Sequence, residues 1–329
     1  MSRSGGEGSE QGGRYQPSGD QLALASTVAD ALEDLLPISR LHAAADETAE
    51  TWSLLEGLGL FGIALDEDAG GSGLGAAEQV LIVAALGRQL SSPSVLATIG
   101  AAHAHWNGGG PAGLDGRRVA AAWEARGRTV VIEDPEADLV LLRGAEPRVH
   151  SAPADLEPLD EALWTVRLAS TEGLGNSIAG FDPDEALRLR LLDAAMLSGL
   201  AEAGLQMAVA YAGMREQFGR PIGSFQAIKH RCADMAMAAR GARDLVTFAA
   251  VAFDDGRADA RMLIESAFLM AGQAALDNAA ANIQVHGGIG FSDEADPHLV
   301  LKRTQVCLAI AGGLEAAADR VAAASPGQA

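Results

Sequence analysis

The sequence predicts a mainly α protein with a small β segment between two helical regions. Apolar residues recur at three- to four-residue spacing from Gln21 to about residue 92, and again from Asp184 to about residue 322. Short β-rich runs broken by Gly, Pro and Asp are confined to the stretch between. With 329 residues, 48% of them apolar, the chain can bury a sizeable core in one large domain or two to three smaller ones. A disulfide mini-protein and a disordered polyelectrolyte are both excluded.

The first 19 residues are Gly, Ser, Gln and Glu with almost no apolar content, so they read as a disordered tail. Residues 20–106 form an N-terminal helical domain. Its first helix carries Leu22, Leu24, Val28, Leu32 and Leu35 and ends at Pro37. A second helical stretch covers about 41–58 and a third about 75–92, with the Gly-rich loop Asp66 to Gly75 between them. Residues 107–183 make the middle β domain, opened by a Gly/Pro-rich linker at 107–118. Its strands are read at Val119 to Ala121, Thr129 to Ile132, Leu139 to Leu142 and Trp164 to Leu168. Residues 184–323 predict a four-helix bundle with helices near 184–214, 224–254, 257–285 and 295–322. Asp182 and Asp184 are candidate caps, with Pro183 at a tolerated first-turn position. Residues 324–329 read as a second tail.

Charge narrows the function. The chain holds 44 acidic against 24 basic residues, a formal net charge of −20, and such a body repels a nucleic-acid backbone. One phosphorylated cofactor gripped by a few local arginines remains compatible with it. Cys232 and Cys307 sit in apolar-periodic stretches and read as isolated thiols, and the scattered histidines lack metal-ligand spacing, so no metal is expected. There is no signal-like apolar region at the start, and the longest apolar run, around Ala267 to Ala275, is too short to span a bilayer. The expected location is cytoplasmic.

Two motifs carry the chemistry. Arg215-Glu216-Gln217-Phe218-Gly219-Arg220-Pro221-Ile222-Gly223-Ser224-Phe225-Gln226 is one, and Gln284-Val285-His286-Gly287-Gly288-Ile289-Gly290-Phe291, followed by Lys302-Arg303, is the other. At this spacing and order they closely resemble the signatures of acyl-CoA dehydrogenases. Leu58 to Gly62 and Gly70 to Gly73 resemble that family's first domain, so the likeness spans about residues 20–322. It implies an N-terminal helical domain, a middle β domain, a C-terminal four-helix bundle, and a flavoprotein. FAD would take a hydride from the β carbon of an acyl-CoA after a base removes the α proton. The resemblance implies cofactor contacts from Arg215, Phe218, Gln226, Gln284, Gly287 and Gly288, several of them reaching the FAD of a neighbouring subunit. The physical chemistry agrees: a guanidinium is a fixed fork of donors suited to a pyrophosphate, and glycine lets backbone amides approach closely. His286 reads as structural, and Gly287, Gly288 and Gly290 also fit a helix-ending turn.

The sequence departs from the family at the base. The two positions where the family places its catalytic glutamate fall here on Leu189 and Gly312. Asp193, Glu202 and Glu315 lie nearby at the wrong spacing; Glu315, three residues past Gly312 and so one turn away, is the candidate substitute base. The middle domain is also reduced, with no good match to the flavin-contacting loop. Both losses resemble the base-less subunit of heterotetrameric acyl-CoA dehydrogenases that act on steroid side chains. The expectation is therefore a chain with no catalytic base, paired as α2β2 with a second family subunit that supplies the glutamate. The substrate would be an acyl-CoA, a steroid side-chain thioester among the candidates, and electrons would pass to an acceptor such as an electron-transfer flavoprotein. Two alternatives stay open: a non-catalytic scaffold that keeps the fold, and a self-sufficient homomer with its base elsewhere.

Overall fold

The structure, a computed structural model, describes residues 17–43, 47–106, 114, 116–159 and 166–324. The readings of 1–16 and 325–329 as tails, most of the 107–118 linker, and Trp164 and Thr165 lie outside the described residues.

Helix α1 (Gly19–Leu35) is closed by a capping box: Ser18 Oγ accepts from the Gln21 amide and Gln21 Oε1 accepts from the Ser18 amide. Then come α2 (Ala49–Gly57), α3 (Ala76–Arg88) and α4 (Pro93–Ala101). The last was missed in the sequence, although Ser92 before Pro93 is a readable start signal: the Ser92 side chain caps it and Pro93 fills the first turn.

The middle region is a fuller sheet than its sequence promised. Strands β1 (His105–Trp106), β2 (Arg118–Ala125), β3 (Arg128–Ile132), β4 (Ala137–Arg143), β5 (Arg148–Ser151), β6 (Glu157–Pro158), β7 (Leu168–Thr171) and β8 (Ser177–Gly180) lie in the order β1-β8-β5-β4-β2-β3-β7-β6. Only the central β2–β4 pair is parallel among the described residues; the other pairs are antiparallel. β7 begins at Leu168, where the strand read from Trp164 was expected to end. One face of the sheet buries Val119, Ala121, Leu139, Leu141 and Val149 against α4 and the start of the bundle.

The bundle comprises α5 (Pro183–Met214), α6 (Gln226–Asp254), α7 (Ala260–His286), α8 (Pro297–Ile310) and α9 (Gly313–Ala324). Asp182 caps α5 by accepting from the Asp184 and Glu185 amides, with Pro183 in the first turn, as the sequence predicts. The expected fourth helix is two: Gly312 and Gly313 both take positive φ, 85° and 78°, which breaks it between α8 and α9. Cys232 and Cys307 are free thiols, and burial pushes Cys307 up to about 12. Among the described residues no helix is long and apolar enough to cross a membrane, and no cluster of side chains has the makings of a metal site.

Helix α5 is the axis. A Cβ on Gly199 would sit 2.1 Å from the Ala84 carbonyl oxygen and 2.9 Å from the Gly87 Cα, so α5 and α3 touch backbone to backbone. On its other side Gly204 faces Asn278 of α7, whose amide donates to the carbonyls of Ala201 and Met235 at 2.9 and 3.0 Å. A buried polar cluster adds to the α3–α5 junction: Gln79 donates to His103 Nε2 (3.1 Å) and accepts from Arg188 (3.2 Å). Burial and the Arg188 charge hold His103 down at about 3, so it is neutral in the fold.

Gly199→Val places three carbon atoms where a backbone stands and should cost about 1–3 kcal/mol, read as a lower melting temperature. His103 predicts a pH effect. Its folded pKa lies below the unfolded value, so the unfolded chain binds the proton first. Stability should therefore fall as pH drops below about 6.5 toward 3. Urea midpoints between pH 7 and 5 should show this slope, and His103→Gln should flatten it.

Candidate functional site

The first motif begins where α5 stops. The Arg215 amide still bonds to the Tyr211 carbonyl (2.8 Å), and the chain then folds into a hairpin of β9 (Glu216–Gln217) and β10 (Arg220–Pro221). Its two turn residues, Phe218 and Gly219, have φ of 54° and 75°, the both-positive pattern of a tight primed hairpin turn. Glycine adopts this freely; a phenylalanine does so at a cost, and such residues gather at functional sites. Phe218 is 92% exposed. It stands edge-on to Phe225 at 6.1 Å, while the Arg220 guanidinium lies over the Phe225 ring at 4.2 Å. Arg215 and Gln226 are also exposed.

The second motif ends α7. Gln284 is exposed and His286 is not a free base: its Nδ1 meets the Asn282 carbonyl at 2.9 Å. Gly287 has φ 67° and ψ −143°, a conformation open essentially to glycine alone. A Cβ on Gly287 or Gly288 would point into open space, whereas one on Gly290 would lie 2.7 Å from the Ile283 carbonyl oxygen. Gly290 is thus required by the turn, while Gly287 and Gly288 leave backbone approachable from outside.

The two motifs meet at one end of the bundle. The Tyr211 ring, in the last turn of α5, stacks on His286 at 4.1 Å, over a small core of Ala208, Ala212, Met235, Ala281 and Val285. Met214, Ile289 and Phe291 stand around this end exposed to 75%, 48% and 75%. The fit to the nucleotide half of FAD is therefore good: exposed guanidinium, aromatic and amide groups beside bare glycine backbone. Arg303 is not part of it. It is fully buried and donates to the Ser91 carbonyl (2.8 Å), tying α8 to the N-terminal domain.

The two base positions also converge. Arg190 on α5 donates to the Ala311 carbonyl (2.6 Å) beside Gly312, and Leu189 and Ile310 share one apolar cluster. Leu189 is 1% exposed and fills its place with hydrocarbon. Here the sheet and bundle enclose a cleft of about 1070 Å³. Its wall holds a charged cluster that the sequence reading missed, because its members come from β4, α5, α7 and α9. Arg143 pairs with Asp193, Arg190 lies 3.7 Å from Asp193 and 3.8 Å from Glu265, and Arg320 pairs with Glu265 at 2.9 Å. Arg190 also stacks on Phe268 at 4.6 Å, and burial lowers it to about 10. Burial raises Asp193 against the pull of Arg143 and Arg190. Glu202 faces Arg88 (3.3 Å), and Glu315 is exposed outside the cleft lining. The carboxylates of the inner wall are thus committed to arginines. Arg143→Met should remove the hydrogen-bonded partner of buried Asp193, leaving Arg190 at 3.7 Å as its remaining cation, and cost about 1.5–3 kcal/mol, measured by denaturant unfolding.

Residues 186–325 match the acyl-CoA dehydrogenase C-terminal domain and residues 18–108 the acyl-CoA dehydrogenase N-terminal domain. Acyl-CoA dehydrogenase IpdE2 of Mycobacterium tuberculosis is 33% identical over 260 residues, covering 77% of this chain and 79% of its own. Acyl-CoA dehydrogenase FadE27 of the same organism is 31% identical over 353 residues, covering 89% and 94%. Among solved structures, a steroid ACAD variant, Tcur3481-Tcur3483 G363A, superposes with a TM-score of 0.75 at 24% identity over 93% of this chain and 97% of that one. The ChsE4-ChsE5 complex from Mycobacterium tuberculosis does so with 0.74 at 23% identity, over 94% and 98%. These two likenesses are of fold.

Proposed function

The chain belongs to the acyl-CoA dehydrogenase family, whose cofactor is FAD, and from that premise we propose that it is the base-less subunit of a heteromeric enzyme. In this reading an α2β2 assembly desaturates an acyl-CoA between its α and β carbons. The second family subunit supplies the glutamate, and this chain holds the nucleotide end of the flavin. FAD supplies the hydride acceptor. The Arg215 fork faces the pyrophosphate, Phe218 lies by the adenine, and Gln226, Gln284 and the Gly287-Gly288 backbone complete the grip. Relatives and fold neighbours named as acyl-CoA dehydrogenases, a steroid ACAD and a ChsE4-ChsE5 complex favour a steroid side-chain thioester as substrate.

The observation that carries the reading is the occupant of the base site. Leu189 is buried against Gly100 of α4, Gly312 lines the cleft with no side chain, Arg190 bonds across to Ala311, and the acidic groups behind it are already paired. A second fact supports it. Arg190, at the cleft, and Arg215, at the first motif, are 25 residues apart along α5 and its C-cap. That is about 37 Å of helix at 1.5 Å per residue. A pyrophosphate gripped at Arg215 therefore belongs to a flavin working in another chain's cleft.

Co-expression with a full-length family partner should give a yellow, active complex, while the chain alone should be colourless and inactive with acyl-CoA. In the complex, Arg215→Ala should weaken FAD retention about ten- to hundredfold, the worth of a charge-assisted hydrogen bond, without breaking the assembly. Unchanged flavin content in that variant would mean that this chain only scaffolds its partner.

A further inference from the structure

A second cavity lies where the N-terminal helices meet the chain entering β2. It encloses about 210 Å³, the share of roughly seven water molecules, and none of its lining residues lines the cleft or belongs to the two nucleotide motifs. Trp52 and Glu56 of α2 stand on one side, Thr98 of α4 and Arg117 on others, and two glycine-rich turns, 59–62 and 69–72, close the rest. The apolar part is aromatic and held in place: the Trp52 ring stacks on Phe61 at 4.9 Å, and the Arg118 guanidinium lies over Trp52 at 4.4 Å. Gly59 and Gly116 hold φ of 73° and 75°, backbone that favours glycine, so both stretches present bare main chain to the space.

The polar groups decide what such a space can hold. The Thr98 hydroxyl is spent: it donates to the Ser94 carbonyl (2.8 Å) and accepts from the Val119 amide (3.0 Å). Two charges are not spent. Among the described residues the lining has one carboxylate, Glu56, and one guanidinium, Arg117. A Cβ on Gly116 would come 3.5 Å from Glu56 Oε1, so the carboxylate reaches the residue next to Arg117, yet the two charges form no ion pair and Glu56 has no hydrogen-bond partner among the described residues. Arg117 is fixed by its Nε, which donates to the Leu114 carbonyl (3.1 Å), and by Trp106, whose ring lies under the guanidinium at 4.7 Å. Its two terminal nitrogens stay available. A ligand with a single charge would answer one of these groups and leave the other uncompensated beside it. The volume lies below the roughly 300 Å³ of the smallest drug-sized sites, which excludes a nucleotide. We propose that this cavity binds a small zwitterion of the α-amino-acid class, its ammonium on Glu56, its carboxylate on the Arg117 fork and an apolar side chain against Trp52.

The test uses the full-length chain and L-phenylalanine, with 3-phenylpropionate and 2-phenylethylamine as singly charged analogues. Calorimetry should show saturable binding of one phenylalanine per chain, and each analogue should bind about ten- to hundredfold more weakly, the worth of one charge-assisted hydrogen bond. Binding should change the tryptophan fluorescence, and the change should be lost in Trp52→Phe. Glu56→Gln, at an exposed position without a partner, should leave the melting temperature in place, weaken phenylalanine about tenfold and erase its advantage over 3-phenylpropionate. Arg117→Gln should erase the advantage over 2-phenylethylamine instead. Absence of saturable binding, equal binding of either analogue, or unchanged affinity in Glu56→Gln overturns the proposal. Neither flavin nor a second subunit enters the measurement, so its failure leaves the shared-site reading standing, and failure of that reading leaves this one standing.

Discussion

Helix α5 can lie against α3 only where neither carries a side chain, and that single crossing organises the molecule. Gly87 and Gly199 face each other so closely that either Cβ would fall 2.1–2.3 Å from a carbonyl oxygen of the opposite helix. Bringing backbones together increases dispersion contact along the flanking residues and leaves no room for alternative registers. Because α5 is then fixed along its whole length, both of its ends are fixed too. One end delivers Arg190 to the cleft beneath the sheet, with Asp193 buried behind it. The other delivers Arg215 to a hairpin in the open. A rigid rod with a function at each end is a simple way to place two sites at a constant separation, and the Asn278 clamp from α7 keeps the rod from turning about its axis.

The charged cluster lies beside the two positions that lack the base. A lone arginine in this position would be expensive to bury, since removing a charge from water costs several kcal/mol before any pairing. Asp193 and Glu265 offset that cost for Arg190, Arg143 and Arg320 in turn, and Phe268 offers its ring face to Arg190. The result joins the sheet, α5, α7 and α9 in one electrostatic unit. Such a unit adds little net stability compared with well-packed hydrocarbon, but it penalises any arrangement in which one member is missing. That asymmetry keeps the turn at Gly312 in place while leaving it unable to present an acid, because both glycines there hold left-handed backbone that a glutamate adopts only under strain.

What the sequence revealed and what it concealed have physical explanations. The long helices were legible because their apolar residues repeat over many turns, and Asp182-Pro183 marked the start of α5 because capping is a local interaction. Helix α4 escaped because its nine residues, flanked by another apolar helix, show no polar face to give a period. Strands β5 and β8, four residues each, are too short to establish an alternation. Gly312 reads in the sequence as a base position without its acid, and with Gly313 it is also the helix break. The Arg143, Asp193, Arg190, Glu265 and Arg320 cluster was beyond reach: its members are spread over 178 positions, and only the fold brings them together. Each, seen alone in its own helix or strand, is an ordinary charged residue. The nucleotide motifs were legible as motifs, but the Tyr211–His286 stack that sets them side by side was not.

The exposed end of the bundle poses its own energetic question. Phe218, Phe291, Met214 and Ile289 leave much of their apolar surface in water within one small region, and a folded chain gains nothing from this arrangement by itself. The positive φ of Phe218 adds backbone strain to the same place. Burial of apolar area is worth about 25 cal/mol per Å², so enclosing these four side chains repays the strain several times over. An adenine ring covers at most one or two of them, being flat and small. The rest would gain from a covering protein surface. In the proposed assembly a nucleotide and a second polypeptide would share this end as two parts of one binding event: each would cover apolar surface that the other leaves bare, so each should be held more firmly when the other is present.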